Sequence, residues 1–147
     1  MTCVLCVRAW VLAVVLVDSS VWIDLLRDAE TPQTQILRQL LPRRRAALTA
    51  VIYQEILQGA ATPERFTKLK RYFRTLPFLN PGHTIETWEA AAQLYMRCRQ
   101  RGYTPRSPHD CLVARIALEH RTPLLHDDRD FELMAQVEPR LKLLPLV

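Results

Sequence analysis

The chain alternates short, solidly apolar runs with longer periodic stretches. Val14-Val15-Leu16-Val17 is an unbroken, mostly β-branched run, the mark of a parallel strand covered on both faces, and it ends at Asp18. Ser19 or Ser20 then predicts the cap of a helix through Leu26, with Val21/Leu25 and Trp22/Leu26 at i,i+4 spacing. Thr31-Pro32 opens a second helix to Leu41, with proline in the first turn, and Pro42-Arg43-Arg44-Arg45 breaks it. Ala46–Ala50 reads as a short strand, and Val51–Gln58 as a helix stopped by Gly59. Thr62-Pro63-Glu64 starts a basic helix to about Arg74, and Leu76–Leu79 is a short strand candidate. Thr84–Gln100 is a long amphipathic helix with Ile85, Trp88, Ala92 and Tyr95 on one stripe, closed by Gly102. Ser107-Pro108-His109-Asp110 opens a helix to about Glu119. Pro123–His126 is a strand, Asp130–Ala135 a short helix and Leu141–Leu146 a last strand edge. This alternation predicts an α/β fold, a parallel sheet with helices on both faces.

At 147 residues, with 49% apolar and 24% charged residues, the chain is long enough to bury a core without disulfide or metal. It shows no internal repeat or linker. Residues 1–12 read as an extension ahead of the domain, in keeping with a start assigned too far upstream, and residues 13–147 as the domain. The apolar stretch 1–17 has Arg8 in its middle, no charged segment before it and no A-x-A site after it. That pattern predicts neither a membrane span nor a signal peptide. Cys3-x-x-Cys6 has no matching second ligand pair for zinc, and Cys98 and Cys111 fall within helices. The expected compartment is the reducing cytoplasm. Three glycines, Gly59, Gly82 and Gly102, exclude a P-loop, a dinucleotide fingerprint and a serine-hydrolase elbow.

Candidate chemistry lies in the acids. In open α/β sheets the site lies beyond the C-terminal ends of the strands. Asp18 follows the first strand, Glu55 lies in the helix after Ala46–Ala50, Asp110 in the first turn of a helix, and Asp127, Asp128 and Asp130 follow Pro123–His126. Acids gathered at one edge repel one another, and a hard divalent cation relieves that repulsion; oxygen-only ligands suit Mg²⁺ or Mn²⁺. Helix capping is the competing account of each acid taken singly. Ser107-x-x-Asp110 has the form of a capping box, and Asp130 that of an N-cap.

Val17-Asp18-Ser19-Ser20-Val21-Trp22-Ile23-Asp24 resembles the opening of PIN-domain ribonucleases, in particular the VapC-type toxins of toxin–antitoxin pairs. Tyr53–Gly59, Ser107–Ala114 and Leu124–Phe131 resemble that family's remaining acid-bearing segments, in the same order. The resemblance implies a three-layer α/β/α sandwich with a short, mostly parallel central sheet. It implies that Asp18, Glu55, Asp110 and Asp128 are catalytic, with Asp18, Asp110 and Asp128 holding Mg²⁺ or Mn²⁺ and Glu55 orienting the attacking water or holding a second ion. Asp130 matches an auxiliary acid and Ser20 a polar residue near the metal water; Asp127 matches a variable position. The implied activity is metal-dependent endoribonuclease, and the implied partners are RNA, a small antitoxin and a second copy of the chain.

Charge agrees with an RNA substrate. Setting aside the four proposed catalytic acids leaves 20 cations against 11 acids, a balance of +9, and 17 of the cations are arginine. Candidate RNA tracks are Arg43-Arg44-Arg45, the Lys68/Lys70/Arg71/Arg74 face and Arg97/Arg99/Arg101/Arg106. Two alternatives stand beside this reading: a catalytically silent PIN-like module that binds RNA or protein, and a receiver-like phosphoacceptor, which needs a lysine at its carboxylates. Trp10, Trp22, Trp88, Phe66, Phe73 and Phe78 are a large aromatic supply for a thin sheet, and predict an apolar surface for a homodimer and an antitoxin.

Overall fold

Three successive residues, Val15–Val17 (β1), have no solvent exposure at all. Neighbouring side chains on a strand point to opposite faces, so both faces of the sheet are covered. The structure, a computed structural model, describes residues 13–145. The extension 1–12, with Cys3, Cys6 and Trp10, lies outside the described residues.

Among the described residues the chain runs β1, α1 (Ser19–Leu26), α2 (Pro32–Leu40), a 3₁₀ turn (Leu41–Arg43), β2 (Ala46–Ala47), α3 (Ala50–Gln58), α4 (Pro63–Phe73), α5 (Thr84–Gln100), α6 (Pro108–Glu119), β3 (Leu124–Leu125), α7 (Arg129–Val137) and β4 (Leu143–Leu144). The four strands are parallel, in the order β2-β1-β3-β4. Val15 and Leu16 pair with Ala46 and Ala47, and Leu16 and Val17 with Leu124 and Leu125. From β1 the chain moves outward to β2, then returns to place β3 on the other side of β1. The switch point therefore lies between the C-terminal ends of β1 and β3.

The strands are shorter than expected. Strand β2 stops at Ala47, and Leu48 instead bridges Phe78 as an isolated pair, its N–H donating to the Pro77 carbonyl at 3.1 Å. The segment Leu76–Leu79 is thus reduced to this bridge. Thr49 ends the extended stretch because its side chain caps α3, accepting from the Ile52 amide.

The long helix α5 has the expected length but turns a different face inward. Its buried positions are Thr87, Ala91, Leu94 and Cys98, at spacings of four, three and four, rather than Ile85, Trp88, Ala92 and Tyr95. Small residues on that seam let α5 lie close against α6. Thr87 Oγ1 donates to Glu119 Oε1 at 2.7 Å, fixing the rotation. Ile85 is left 65% exposed and Trp88 48% exposed. Conversely, Trp22 and Phe73 belong to the core and not to a docking surface: both are fully buried, edge-to-face at 5.0 Å, with Trp22 Nε1 donating to the Val17 carbonyl. Cys98 and Cys111 are buried free thiols that serve as small core residues.

Candidate active site

The acids converge where the topology places a site. Asp18 is both the end of β1 and the cap of α1: its amide donates to the Leu125 carbonyl at 2.9 Å, and its Oδ2 accepts from the Ser20 amide at 3.2 Å and the Ser20 hydroxyl at 2.7 Å. Asp18, and neither Ser19 nor Ser20, is the cap. The Ser20 hydroxyl also accepts from the Asp127 amide at 3.3 Å, so it braces the loop after β1 against the loop after β3. Asp127 is exposed and its Oδ1 accepts from Gln33 Nε2, apart from the other acids.

After β3, His126 is buried, and its Nδ1 accepts the Asp128 amide at 3.1 Å. Burial pushes its pKa down, which keeps the ring neutral and able to accept. Asp128 caps α7, its Oδ1 accepting from the Asp130 amide at 2.9 Å; Asp130 itself is therefore not the cap. Asp110 stands in the first turn of α6. Ser107 caps that helix by accepting from the His109 amide. Asp110 instead joins Asp128 and Asp130 in a group whose carboxylate oxygens lie within 4.8 Å of one another. The family resemblance implies only an auxiliary role for Asp130; here it is a full member of the group.

Asp18 and Glu55 border this group. Asp18 is pushed above the usual carboxylate range, chiefly by burial; the Ser20 bonds oppose the rise and the charge of Asp128 adds to it. Glu55, half-buried in the second turn of α3, is raised by burial and by the charge of Asp18, while the Ser19 hydroxyl and His109 favour its ionised form. The Asp110 carboxyl is pushed up to about 7, first by burial and then by the charges of Asp18, Asp128, Glu55 and Asp130. Five acids from four chain segments thus feel one another's fields. That crowding, with oxygen-only donors, fits a hard divalent cation.

Among the described residues, Arg106 is the cation paired with these acids. Arg106, in the loop between α5 and α6, places Nη2 2.7 Å from Asp128 Oδ1 and Nε 3.3 Å from Asp130 Oδ2, and its backbone N–H donates to Asp130 Oδ2 at 2.9 Å. In the sequence Arg106 is only the end of a basic track; its place at the acids depends on a loop conformation that spacing does not reveal. The other tracks lie elsewhere. Arg43, Arg44 and Arg45 precede β2, at the opposite end of the sheet from the acids. Arg44 Nη2 donates to the Thr75 carbonyl, which joins that corner to Lys70, Arg71 and Arg74, exposed on and just after α4.

The PIN-domain family model matches residues 15–137, a span that contains every acid described above. The chain belongs to the PIN-domain family. It is 35% identical over 125 residues to ribonuclease VapC11 of Mycobacterium tuberculosis and, equally, to VapC ribonuclease Mb1587 of Mycobacterium bovis. Each match covers 84% of this chain and 92% of the relative. The PIN fold also superposes on DNA-bound VapBC from Salmonella typhimurium with a TM-score of 0.69 at 18% identity, covering 90% of this chain and 97% of that one. The phosphoacceptor alternative has no support from this PIN-domain site, since the cation at its carboxylates is an arginine. No helix among the described residues is long and apolar enough to cross a membrane.

Proposed function

We propose that this PIN domain is a divalent-metal-dependent endoribonuclease, the toxin of a toxin–antitoxin pair, acting in the cytoplasm. The observation that carries the reading is the group formed by Asp110, Asp128 and Asp130, with Asp18 and Glu55 beside it. The ribonuclease activity named for the 35% identical relatives supports the same reading.

Asp18, Asp110 and Asp128 are the proposed holders of Mg²⁺ or Mn²⁺, and the 4.8 Å grouping adds Asp130. Bound there, the ion would neutralise charge on the scissile phosphate and lower the pKa of a water. Glu55, on α3 and within the field of Asp18 and Asp110, has the proposed role of orienting the attacking water or holding a second ion. Ser20 ties the two strand-end loops together by bonding both Asp18 and Asp127, and His126 shapes the loop after β3 by accepting the Asp128 amide. The basic corner of Arg43–Arg45, Lys70, Arg71 and Arg74 supplies phosphate contacts that give affinity with little sequence choice. A small antitoxin and a second copy of the chain are the proposed protein partners, in line with the toxin–antitoxin assemblies that share the fold.

The deciding assay incubates a mixed-sequence RNA pool with the purified chain in Mg²⁺ and in EDTA. Cleavage in Mg²⁺ that EDTA abolishes and Asp110→Asn abolishes is the expected result. Cleavage that persists in EDTA would overturn the metal-dependent reading.

A further inference from the structure

The acid group already holds a positive charge, contributed by the chain itself. Arg106 is rooted at the site through its backbone N–H on Asp130, and its guanidinium lies on Asp128 and Asp130 with 73% of its side chain open to solvent. Its Nε and Nη2 face the acids. Nη1 has no protein acceptor among the described residues, so one edge of the fork is turned outward. Asp128 Oδ1 receives both Arg106 Nη2 and the Asp130 amide.

We propose that Arg106 is the phosphate-holding arm of this active site, resting on Asp128 and Asp130 until a divalent cation takes their oxygens, then turning to a phosphate of the RNA strand. The proposal rests on the metal-dependent nuclease reading above. Its logic is competition for the same lone pairs. A guanidinium on Asp128 and Asp130 neutralises the repulsion that a cation would neutralise, so the two occupants exclude one another. A displaced guanidinium beside a divalent ion is a like-charge neighbour, and an RNA phosphate settles between them. The planar fork suits that role, because it can offer two parallel N–H groups to two phosphate oxygens; an ammonium cannot. Because the backbone of Arg106 is tied to Asp130, the movement requires side-chain rotation alone. The anchor holds the arm within reach of the phosphate.

The experiment uses Arg106→Gln and Arg106→Lys in the full chain, with two readouts. Mn²⁺ affinity is measured by titration calorimetry on RNA-free protein, and cleavage of a mixed-sequence RNA pool is measured at saturating Mn²⁺. Arg106→Gln should bind Mn²⁺ at least threefold more tightly than the parent and cleave at least tenfold more slowly, with Arg106→Lys between the two in both. Damage to the fold weakens metal binding and cleavage together, so this opposite movement is specific to the proposal. Equal or weaker Mn²⁺ affinity in Arg106→Gln overturns the resting contact. Tighter Mn²⁺ binding with undiminished cleavage overturns the phosphate role. Absence of Mn²⁺ binding in both the parent and Arg106→Gln overturns the metal reading of the acids, and this inference with it.

Discussion

Asp110 and Asp128 are both helix-start acids of one cluster, yet only Asp128 also caps its helix, so removing their carboxylates should have opposite effects. Asp110 has burial and four negative neighbours and no capping bond, which lifts its carboxyl from 3.8 to about 7. The folded chain therefore holds a proton there that the unfolded chain has released. Stability from the neutral form is complete below pH 4 and is lost as pH rises through 7. Asp110→Asn removes the loss. In EDTA at pH 8 it should be more stable than the parent by about 1–2 kcal/mol, a range discounted for partial solvent exposure, and the two should converge near pH 4. In Mg²⁺ the order should reverse, because the parent gains ligand-binding free energy that the variant lacks. Melting curves at both pH values, with and without metal, check this; a variant less stable in EDTA at pH 8 would contradict the repulsion. Asp128→Ala is the contrasting case. It removes the α7 cap and the Arg106 pair, so it should lose about 0.5–2 kcal/mol even without metal. Asp18, Asp110, Asp128 and Asp130 were legible from the sequence because each follows a strand or opens a helix, and Glu55 because its helix follows a strand. Their double duty was not. Asp18 ends a strand and caps a helix because no residue separates β1 from α1 except itself. Capping and site geometry are one arrangement there, so the two accounts cannot be separated by spacing.

At the scale of elements, helices were legible to within a residue or two, and four of the seven described have a serine or threonine cap, three of these followed by proline. Thr31-Pro32, Thr62-Pro63 and Ser107-Pro108 all cap as expected. The rotation of α5 was not legible, since two stripes compete on it and only contact with α6 and α7 chooses between them. Part of that choice is made by Glu138. Buried at the end of α7, it pairs with Arg97 of α5 at 3.3 Å and with Arg140 at 2.8 Å. Arg97 also donates to the Val137 carbonyl at 2.7 Å. The Arg140 bonds come first in holding the Glu138 carboxyl down at about 2, against 4.5 in the unfolded chain. A depressed acid contributes stability that is present above pH 4.5 and is lost as pH falls toward 2. Glu138→Gln should therefore cost about 1–2 kcal/mol at neutral pH and progressively less below pH 4.5. Urea unfolding at pH 7 and pH 3 measures the difference; a penalty that is the same at both would assign the effect to packing instead of charge.

For the whole molecule, the question is what covers the outer face of α5. The aromatic count in the sequence overstated the surface supply, because Trp22 and Phe73 are core. What remains is Phe66 and Tyr72, exposed on α4, and a larger set on α5: Ile85, Trp88 and Met96 are exposed, and Trp88 with Tyr95, Pro108, Leu112 and His109, the neighbour of Asp110 in the chain, lines a shallow, largely apolar groove. A monomer rarely leaves a tryptophan, an isoleucine and a methionine together in water without a partner. This face is the expected site of self-association, and its position next to the acid group would make dimerisation and access to the site interdependent. Trp88→Glu introduces a charge at the centre of the face while leaving the buried seam of Thr87, Ala91, Leu94 and Cys98 untouched. The parent should scatter light as a dimer of 17.1 kDa chains at micromolar concentration, and Trp88→Glu as a monomer with an unchanged melting temperature at matched low concentration. A parent that is monomeric throughout that range, or a variant that stays dimeric, would remove α5 from the interface and leave its exposed residues to another partner.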